Sequence, residues 1–511
     1  MVAVVLLLFC GGASRASESS AVDLVLGKLP ANDSREYASL RETAGAAVRE
    51  SLSMTGAEMW SVPRERLEAF LAAAGSLGVE VMKLDPADRM AKPMAAPKMT
   101  AKQAEMMHKS MDSRAAMGMT MMDLPKPSVM EHLLTKGMNE TGDGARARLV
   151  IPLSMNESVT AHRTGINKTA DGYIWRGVID GSGEPVTLLW WPDGRISGTV
   201  THGGHMYVIK SLGGGMQGML ELDPNKMPPD HAPASNNMMR KMDMKEDPLV
   251  HQGDASMMVR PSAHEPYPAN RSQKMQAPAG AANPAVITLI VAYTKKAAAH
   301  YDDIVKDLIA VAVAEANQSF RDSGIDNVTV KLVHAYETDY VENGSHFDHV
   351  YRFRNKGDGY MDEVHDLRAK YGADVAALVV DDPKGCGLSI RVGADAADAF
   401  TALDQQCMAA MYSLSHEIGH LIGARHDRAL DDTDRPFAYG HGFVNGNKWR
   451  TIMSYGESCG NCPRRPVWSS PEVKIEGVPA GDANTDNARV IREGAARVGN
   501  FLPGPTSASA R

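Results

Sequence analysis

The sequence predicts an α+β protein whose β-rich middle precedes an α/β half, and three observations carry that reading. Between Leu149 and Leu222, short runs of β-branched and aromatic residues are separated by turn chemistry. After Ala285, apolar strand-like runs alternate with stretches of helical periodicity. Two tracts, Met90–Met130 and about 226–284, have neither pattern and divide the chain. A length of 511 residues leaves room for two to four ordinary domains. Lys and Arg total 54 against 62 Asp and Glu, a formal charge of -8, which argues against a nucleic-acid partner.

In chain order, Met1–Phe9 is apolar but far shorter than the roughly 20 residues of a membrane-spanning helix. With small residues at Ser14 and Ala16 it reads as a secretory leader over residues 1–16, so no stable membrane anchor is expected. Cys10 leaves with it, since bulky Phe9 opposes a lipid-attachment box. Residues 17–90 form an N-terminal segment, with a helix over Arg64–Leu77 behind Pro63 and a short strand over Val79–Met82. Residues 91–146 read as a Met-rich linker, because Met90–Met130 holds 11 Met and few core anchors. Residues 147–226 predict an antiparallel meander with strands at Gly172–Ile179, Val186–Trp191, Ile196–Val200 and Met206–Lys210, and a turn at Asp193-Gly194. Residues 227–284 read as a low-complexity linker. Its Met and His could hold copper, but no fixed spacing recurs. Residues 285–502 predict the strand Val286–Thr294, helix Ile304–Phe320, strand Val328–Ala335, helix Met361–Tyr371 and buried strand Asp374–Val380; 503–511 is a loose tail.

Without Cys10, the cysteines are Cys386, Cys407, Cys459 and Cys462, an even number that fits two disulfides in an exported protein, with three pairings open. The alternative for Cys459-Gly460-Asn461-Cys462, half a zinc site or a redox pair, lacks a second such pair.

The decisive segment is Ser415-His416-Glu417-Ile418-Gly419-His420-Leu421-Ile422-Gly423-Ala424-Arg425-His426-Asp427. On a helix, His416 and His420 project from one face a turn apart and can grip one ion. Glu417 sits one step round, close enough to act on a water at that ion. Gly423 can take positive φ and turn the chain so that His426 returns as a third nitrogen ligand. Three neutral imidazoles leave one tetrahedral position open, the donor set of a catalytic zinc.

This HExxHxxGxxH pattern resembles that of the metzincin metallopeptidases. Thr451-Ile452-Met453-Ser454-Tyr455-Gly456 resembles their Met-turn, with Met453 lying 27 residues after His426. Asp427 resembles the reprolysin-branch aspartate that braces that turn, and Tyr455 the tyrosine that in some members ligates zinc or steadies the oxyanion. The flanks Tyr439-Gly440-His441-Gly442-Phe443, Trp468-Ser469-Ser470-Pro471 and Asp486-Asn487-Ala488-Arg489-Val490, with the Cys459–Cys462 pair, resemble the bacterial peptidyl-Asp metallopeptidases over about 285–502. The resemblance implies a metzincin-type catalytic domain, a twisted mixed sheet with active-site helix and Met-turn, behind a mixed, β-rich propeptide. Leu222-Asp223-Pro224-Asn225-Lys226-Met227-Pro228-Pro229-Asp230-His231 resembles the end of such a propeptide.

By the same resemblance, the protein is expected to be a secreted, monomeric zinc endopeptidase of protein or peptide substrates, made as a zymogen. One Zn2+ polarises the scissile carbonyl, and Glu417 is the general base. Cleavage falls before Asp, sometimes Glu, and the substrate carboxylate needs a cation, with Arg425, Arg450 and Arg391 as candidates. The propeptide is its own inhibitor, but no cysteine lies between Ser17 and Gly385, so a cysteine switch is excluded. A propeptide carboxylate, or one of His202 and His205, is a candidate plug, although those two histidines read first as an ordinary turn, and Asp243, Asp247 and Asp254 are candidate self-cleavage points. The alternatives are a reprolysin-like protease without Asp specificity, an inactive binding module, and a Met-rich metal-sequestering protein.

Overall fold

The computed structural model describes residues 21–45, 47–85, 87–95, 97–138, 147–231 and 284–504. The leader over 1–16 with Cys10, the linker from 232 with Asp243, Asp247 and Asp254, and tail residues 505–511 lie outside the described residues. The chain divides into two compact units, Met1–Arg89 with Pro125–Lys136, and Met90–Leu124 with Gly137–Arg511.

In the first unit, strands β1 (Ala21–Gly27), β2 (Ala47–Ser51), β3 (Glu58–Pro63) and β4 (Glu80–Lys83) form an antiparallel sheet of order β2-β3-β1-β4. Helix Arg35–Ala44 starts where Ser34 Oγ accepts from the Tyr37 N–H. The expected Arg64–Leu77 helix is a 3-10 turn, Arg64–Arg66, followed by helix Leu67–Ser76. Its Phe70 and Ala74 bury against Leu24, Leu26 and Trp60 of the sheet.

The second unit begins with ordered elements where the sequence predicts a linker. The stretch expected as a Met-rich linker carries strand β5 (Lys92–Met94), helix Ala101–Met111 and strand β6 (Ala116–Asp123). Several of its methionines are core: Met106, Met121 and Leu212 are buried together, with Met94, Met107, Met119 and Met216 packed against them, while Met117 is exposed. Unbranched thioethers fill such a core without the β-branched signature that marks a strand. Thr100 and Gln103 make the reciprocal capping box of this helix, a pattern visible in the sequence.

The meander β7 (Arg148–Pro152), β8 (Ser158–Lys168), β9 (Tyr173–Ile179), β10 (Pro185–Trp190), β11 (Ile196–His202), β12 (His205–Gly213) and β13 (Met216–Leu222) comes next along the chain. With β5 and β6 it makes an antiparallel sheet of order β5-β6-β13-β12-β11-β10-β9-β8-β7. Arg195, at the turn before β11, reaches into the C-terminal half, where it pairs with Asp302 at 2.6 Å and Asp307 at 2.8 Å.

That half is mixed α+β. Strands β14 (Ala285–Thr294), β15 (Val328–Thr338), β16 (Val375–Val380), β17 (Gly387–Ser389) and β18 (Phe400–Asp404) lie in the order β15-β14-β16-β18-β17. All pairs are parallel except β17 with β18, so β17 is an antiparallel edge. The expected Ile304–Phe320 helix divides into a π-helical turn, Val305–Ile309, and helix Ala310–Asp322. Helix Ser413–Ile422 lies under the sheet with all ten residues buried. Among the described residues, no helix is long and apolar enough to cross a membrane.

Candidate metal centre

Helix Ser413–Ile422 presents His416 and His420 on one face, with their Nε2 atoms 3.1 Å apart. Gly423 ends the helix at φ 135°, a backbone setting that side chains resist. The chain turns there and returns His426, whose Nε2 lies 3.2 Å from that of His416 and 2.8 Å from that of His420. A fourth imidazole, His231 from the end of the β-rich half, places its Nε2 3.3 Å from that of His426. The four are buried and gather within 4.8 Å.

The proton positions of these rings decide what the cluster can hold. Nδ1 of His416 faces Ile452 O at 2.9 Å, Nδ1 of His420 faces Ala424 O at 2.9 Å, and Nδ1 of His231 faces Gly387 O at 2.8 Å. A carbonyl oxygen only accepts, so each Nδ1 carries the proton and each Nε2 presents a bare lone pair to the others. Burial, then the neighbouring imidazoles, hold His231 down to about 3. Burial holds His420 to about 4 and His416 and His426 well below the usual range. Neutral rings with converging lone pairs fit a cation: nitrogens about 2.0 Å from a tetrahedral zinc stand a little over 3 Å apart.

Glu417 lies beside this centre. Its Oε2 accepts from Ser389 Oγ at 2.7 Å on the edge strand, and Oε1 is 4.0 Å from His231 Nδ1. Burial raises its carboxyl to about 8. Tyr455 packs its ring 4.2 Å from that of His426, and its buried hydroxyl has no hydrogen-bond partner among the described residues. Asp427 Oδ2 accepts the Tyr455 N–H at 3.0 Å and Oδ1 accepts from Ser458 Oγ at 2.7 Å, tying the third-histidine loop to the turn after Met453. Met453 is fully buried beneath the helix.

The three candidate arginines separate. Arg425 is occupied by Asp431 at 2.9 Å, and half-exposed Arg391 reaches Asp398 at 3.4 Å. Only Arg450 turns to the cleft, where it meets Asp230 at 2.8 Å, joined by Arg464 at 2.5 Å. His202 and His205 sit on the β11–β12 hairpin against Glu184 and Glu221, and neither belongs to the metal cluster. The cysteines pair as Cys386–Cys407 and Cys459–Cys462.

Sequence reasoning missed Asp230, His231, Arg464 and Ser389 as parts of one cleft. The available signal was a His behind Met227-Pro228-Pro229-Asp230, a ligand-type residue on a short extended run at the end of the meander.

Comparison with known proteins places these features among peptidases. Residues 283–464 match the model of metallo-peptidase family M12. A protein of Xanthomonas campestris pv. campestris named peptidyl-Asp metalloendopeptidase is 37% identical over 307 residues, 60% of this chain and 67% of that protein. One of the same name from Stenotrophomonas maltophilia is 33% identical over 367 residues, 68% of this chain and 81% of the relative. A third, from Pseudomonas fragi, is 33% identical over 189 residues, 37% of this chain and 99% of its own length.

Proposed function

This chain belongs to the peptidyl-Asp metalloendopeptidase family and is a metalloendopeptidase, acting on peptides or proteins; from that premise we propose that it is a secreted zinc enzyme, made as a zymogen, that cuts on the amino side of Asp or Glu. The observation that carries the zinc reading is the convergence of the His416, His420 and His426 Nε2 atoms to within 3.2 Å, all with neutral rings.

When bound, zinc supplies Lewis-acid polarisation of the scissile carbonyl and acidifies water in the site. The protein's residues do the rest. His416, His420 and His426 hold the ion. Glu417, aimed by Ser389, takes the proton of the attacking water and hands it to the leaving amine, so no acyl-enzyme forms. The Tyr455 hydroxyl, buried and without a partner among the described residues, steadies the developing oxyanion. Asp427 and Met453 hold the loop and floor beneath the ligands, and residues 285–502 act as the enzyme, a monomer, once the preceding propeptide has gone.

The Asp reading rests on the names of the relatives. Metal analysis and cleavage mapping on one denatured protein test both halves. One zinc per chain, with Asp enriched after the cut, is the expected result, and apolar residues there would reduce the assignment to a reprolysin-like protease. Glu417→Ala should keep zinc and fold while losing hydrolysis; near wild-type turnover would sink the mechanism.

A further inference from the structure

Asp230 and His231 are consecutive, and together they fill the cleft. The Asp230 carboxylate takes one guanidinium on each oxygen, Arg450 on Oδ2 at 2.8 Å and Arg464 on Oδ1 at 2.5 Å, with the Gly456 N–H also facing Oδ2 at 3.4 Å. The next residue lays its imidazole among the three metal-ligand histidines. Alongside, the Cys386 N–H donates to Pro229 O at 2.8 Å and His231 Nδ1–H to Gly387 O at 2.8 Å, so the segment rides on the edge strand of the sheet. Edge strands offer unpaired backbone groups to extended peptides.

From this juxtaposition we infer that Asp230 is a built-in copy of the substrate carboxylate, that Arg450 and Arg464 select the Asp after the cut in the mature enzyme, and that His231 plugs the open metal position of the zymogen. The inference rests on the reading of the protein as an Asp-directed zinc endopeptidase.

Three features carry it. A peptide cut before Asp must put a carbonyl at the metal and, one residue along, a carboxylate in a pocket. Residues 230 and 231 satisfy both stations with the same one-residue reach but in the reverse order along the chain, so the plug runs opposite to a substrate.

The pocket is also built for an anion. The Arg450 and Arg464 side chains are 7% and 4% exposed, and their other hydrogen bonds go to neutral carbonyls: Ser454 O from both, Cys462 O from Arg450, and Met411 O from Arg464. When residues 228–231 leave, two buried cations face each other without that carboxylate, a state that favours capture of another. Both hang on Ser454, the residue after Met453, so the pocket and the metal floor share one turn.

Finally, the plug resists its own enzyme. An imidazole stands where a scissile carbonyl would have to bind, so the segment occupies the site without presenting a bond to be cut.

Two measurements test the inference, the first on the matured enzyme and the second on the full-length protein. In the first, matured Arg464→Lys and Arg464→Gln variants are compared with wild type on two peptides differing only in Asp or Asn after the cut. The Asp-to-Asn ratio of kcat/KM should fall by about 30-fold or more in both variants, since Lys keeps charge but loses the fork. A wild type without Asp preference overturns the parent reading, and an Asp-selective wild type with an unchanged ratio in both variants overturns this one. In the second, the intact Glu417→Ala chain is loaded with Co(II). Its visible absorption should be that of a four-nitrogen tetrahedral site. His231→Ala should change it, and Asp230→Ala should speed metal loss to a chelator by about tenfold or more. An identical spectrum after His231→Ala removes the plug.

Discussion

Met453 lies against Gly419, the residue between the two helical metal ligands. A Cβ built on Gly419 would come within 3.0 Å of Met453 Sδ and 2.6 Å of the Trp468 ring. Glycine in mid-helix costs about 1 kcal/mol against alanine, so its place here reflects the close approach of the floor beneath the histidines.

Gly419→Ala therefore opposes two effects. The helix gains about 1 kcal/mol in propensity, while overpacking costs about 1–3 kcal/mol because Trp468 and Met453 are themselves fully buried. The expected result is a variant no more stable than wild type, with weaker metal binding as His416 and His420 shift. Thermal unfolding with and without zinc checks it, and a rise in stability with unchanged metal affinity would contradict the close-packing account.

Tyr455→Phe separates a chemical role from a packing one. The ring contacts with His426 survive, and the deletion removes a buried hydroxyl that has no partner among the described residues. Leaving such a group unpaired costs about 1–3 kcal/mol, so Phe should be neutral or stabilising for the fold. Loss of a donor to the oxyanion should still lower kcat by about 10- to 1000-fold. Unchanged kcat would leave Tyr455 as a packed phenol.

How legible these features are in the sequence depends on how local they are. His416, Glu417, His420, Gly423 and His426 lie within eleven residues, and helical spacing with the turn at Gly423 brings them together. Arg464 and Asp230 are 234 residues apart, so only the folded chain makes them a pair. The Met-rich stretch hides its order for a different reason. Periodicity is read from branched and aromatic residues, and methionine fills a core without leaving that mark.

Asp427→Asn tests the brace beneath the third ligand. Both carboxylate oxygens accept, from Tyr455 N–H on one side and Ser458 Oγ on the other. An amide with its oxygen toward Tyr455 turns an N–H group to the Ala429 N–H, a donor now 3.2 Å from Oδ1, at about 1–3 kcal/mol. Lower unfolding temperature and weaker zinc retention are expected together. A variant that loses stability but retains zinc and turnover would show that the brace serves the fold alone.

The β-rich half meets the peptidase half at a buried carboxyl. Glu315, on helix Ala310–Asp322, is buried against Thr199 of β11, and burial raises its carboxyl to about 7. Thr187 and Arg176 face it from β10 and β9 and Asp322 from its own helix; only Asp322 adds to the rise. In the unfolded chain the group titrates near 4.5. Between those values the folded state binds the extra proton, so stability is full below about 4.5, falls as pH rises toward 7, and is level beyond. The roughly 2.5-unit difference corresponds to at most about 3 kcal/mol. Asp307 and Asp322 are also raised by burial and act in the same sense, whereas Lys210, lowered to about 8 by burial, acts oppositely and only above that pH. In the full-length Glu417→Ala background, the buried histidines, held low, act oppositely below about 6.5 but are common to both proteins, so the difference is the readout: Glu315→Gln should gain unfolding free energy relative to its parent from pH 5 to 7.5. If the gap between the two proteins is the same at every pH, Glu315 does not carry the coupling; if it widens with pH, alkaline conditions loosen the β-rich half from the peptidase.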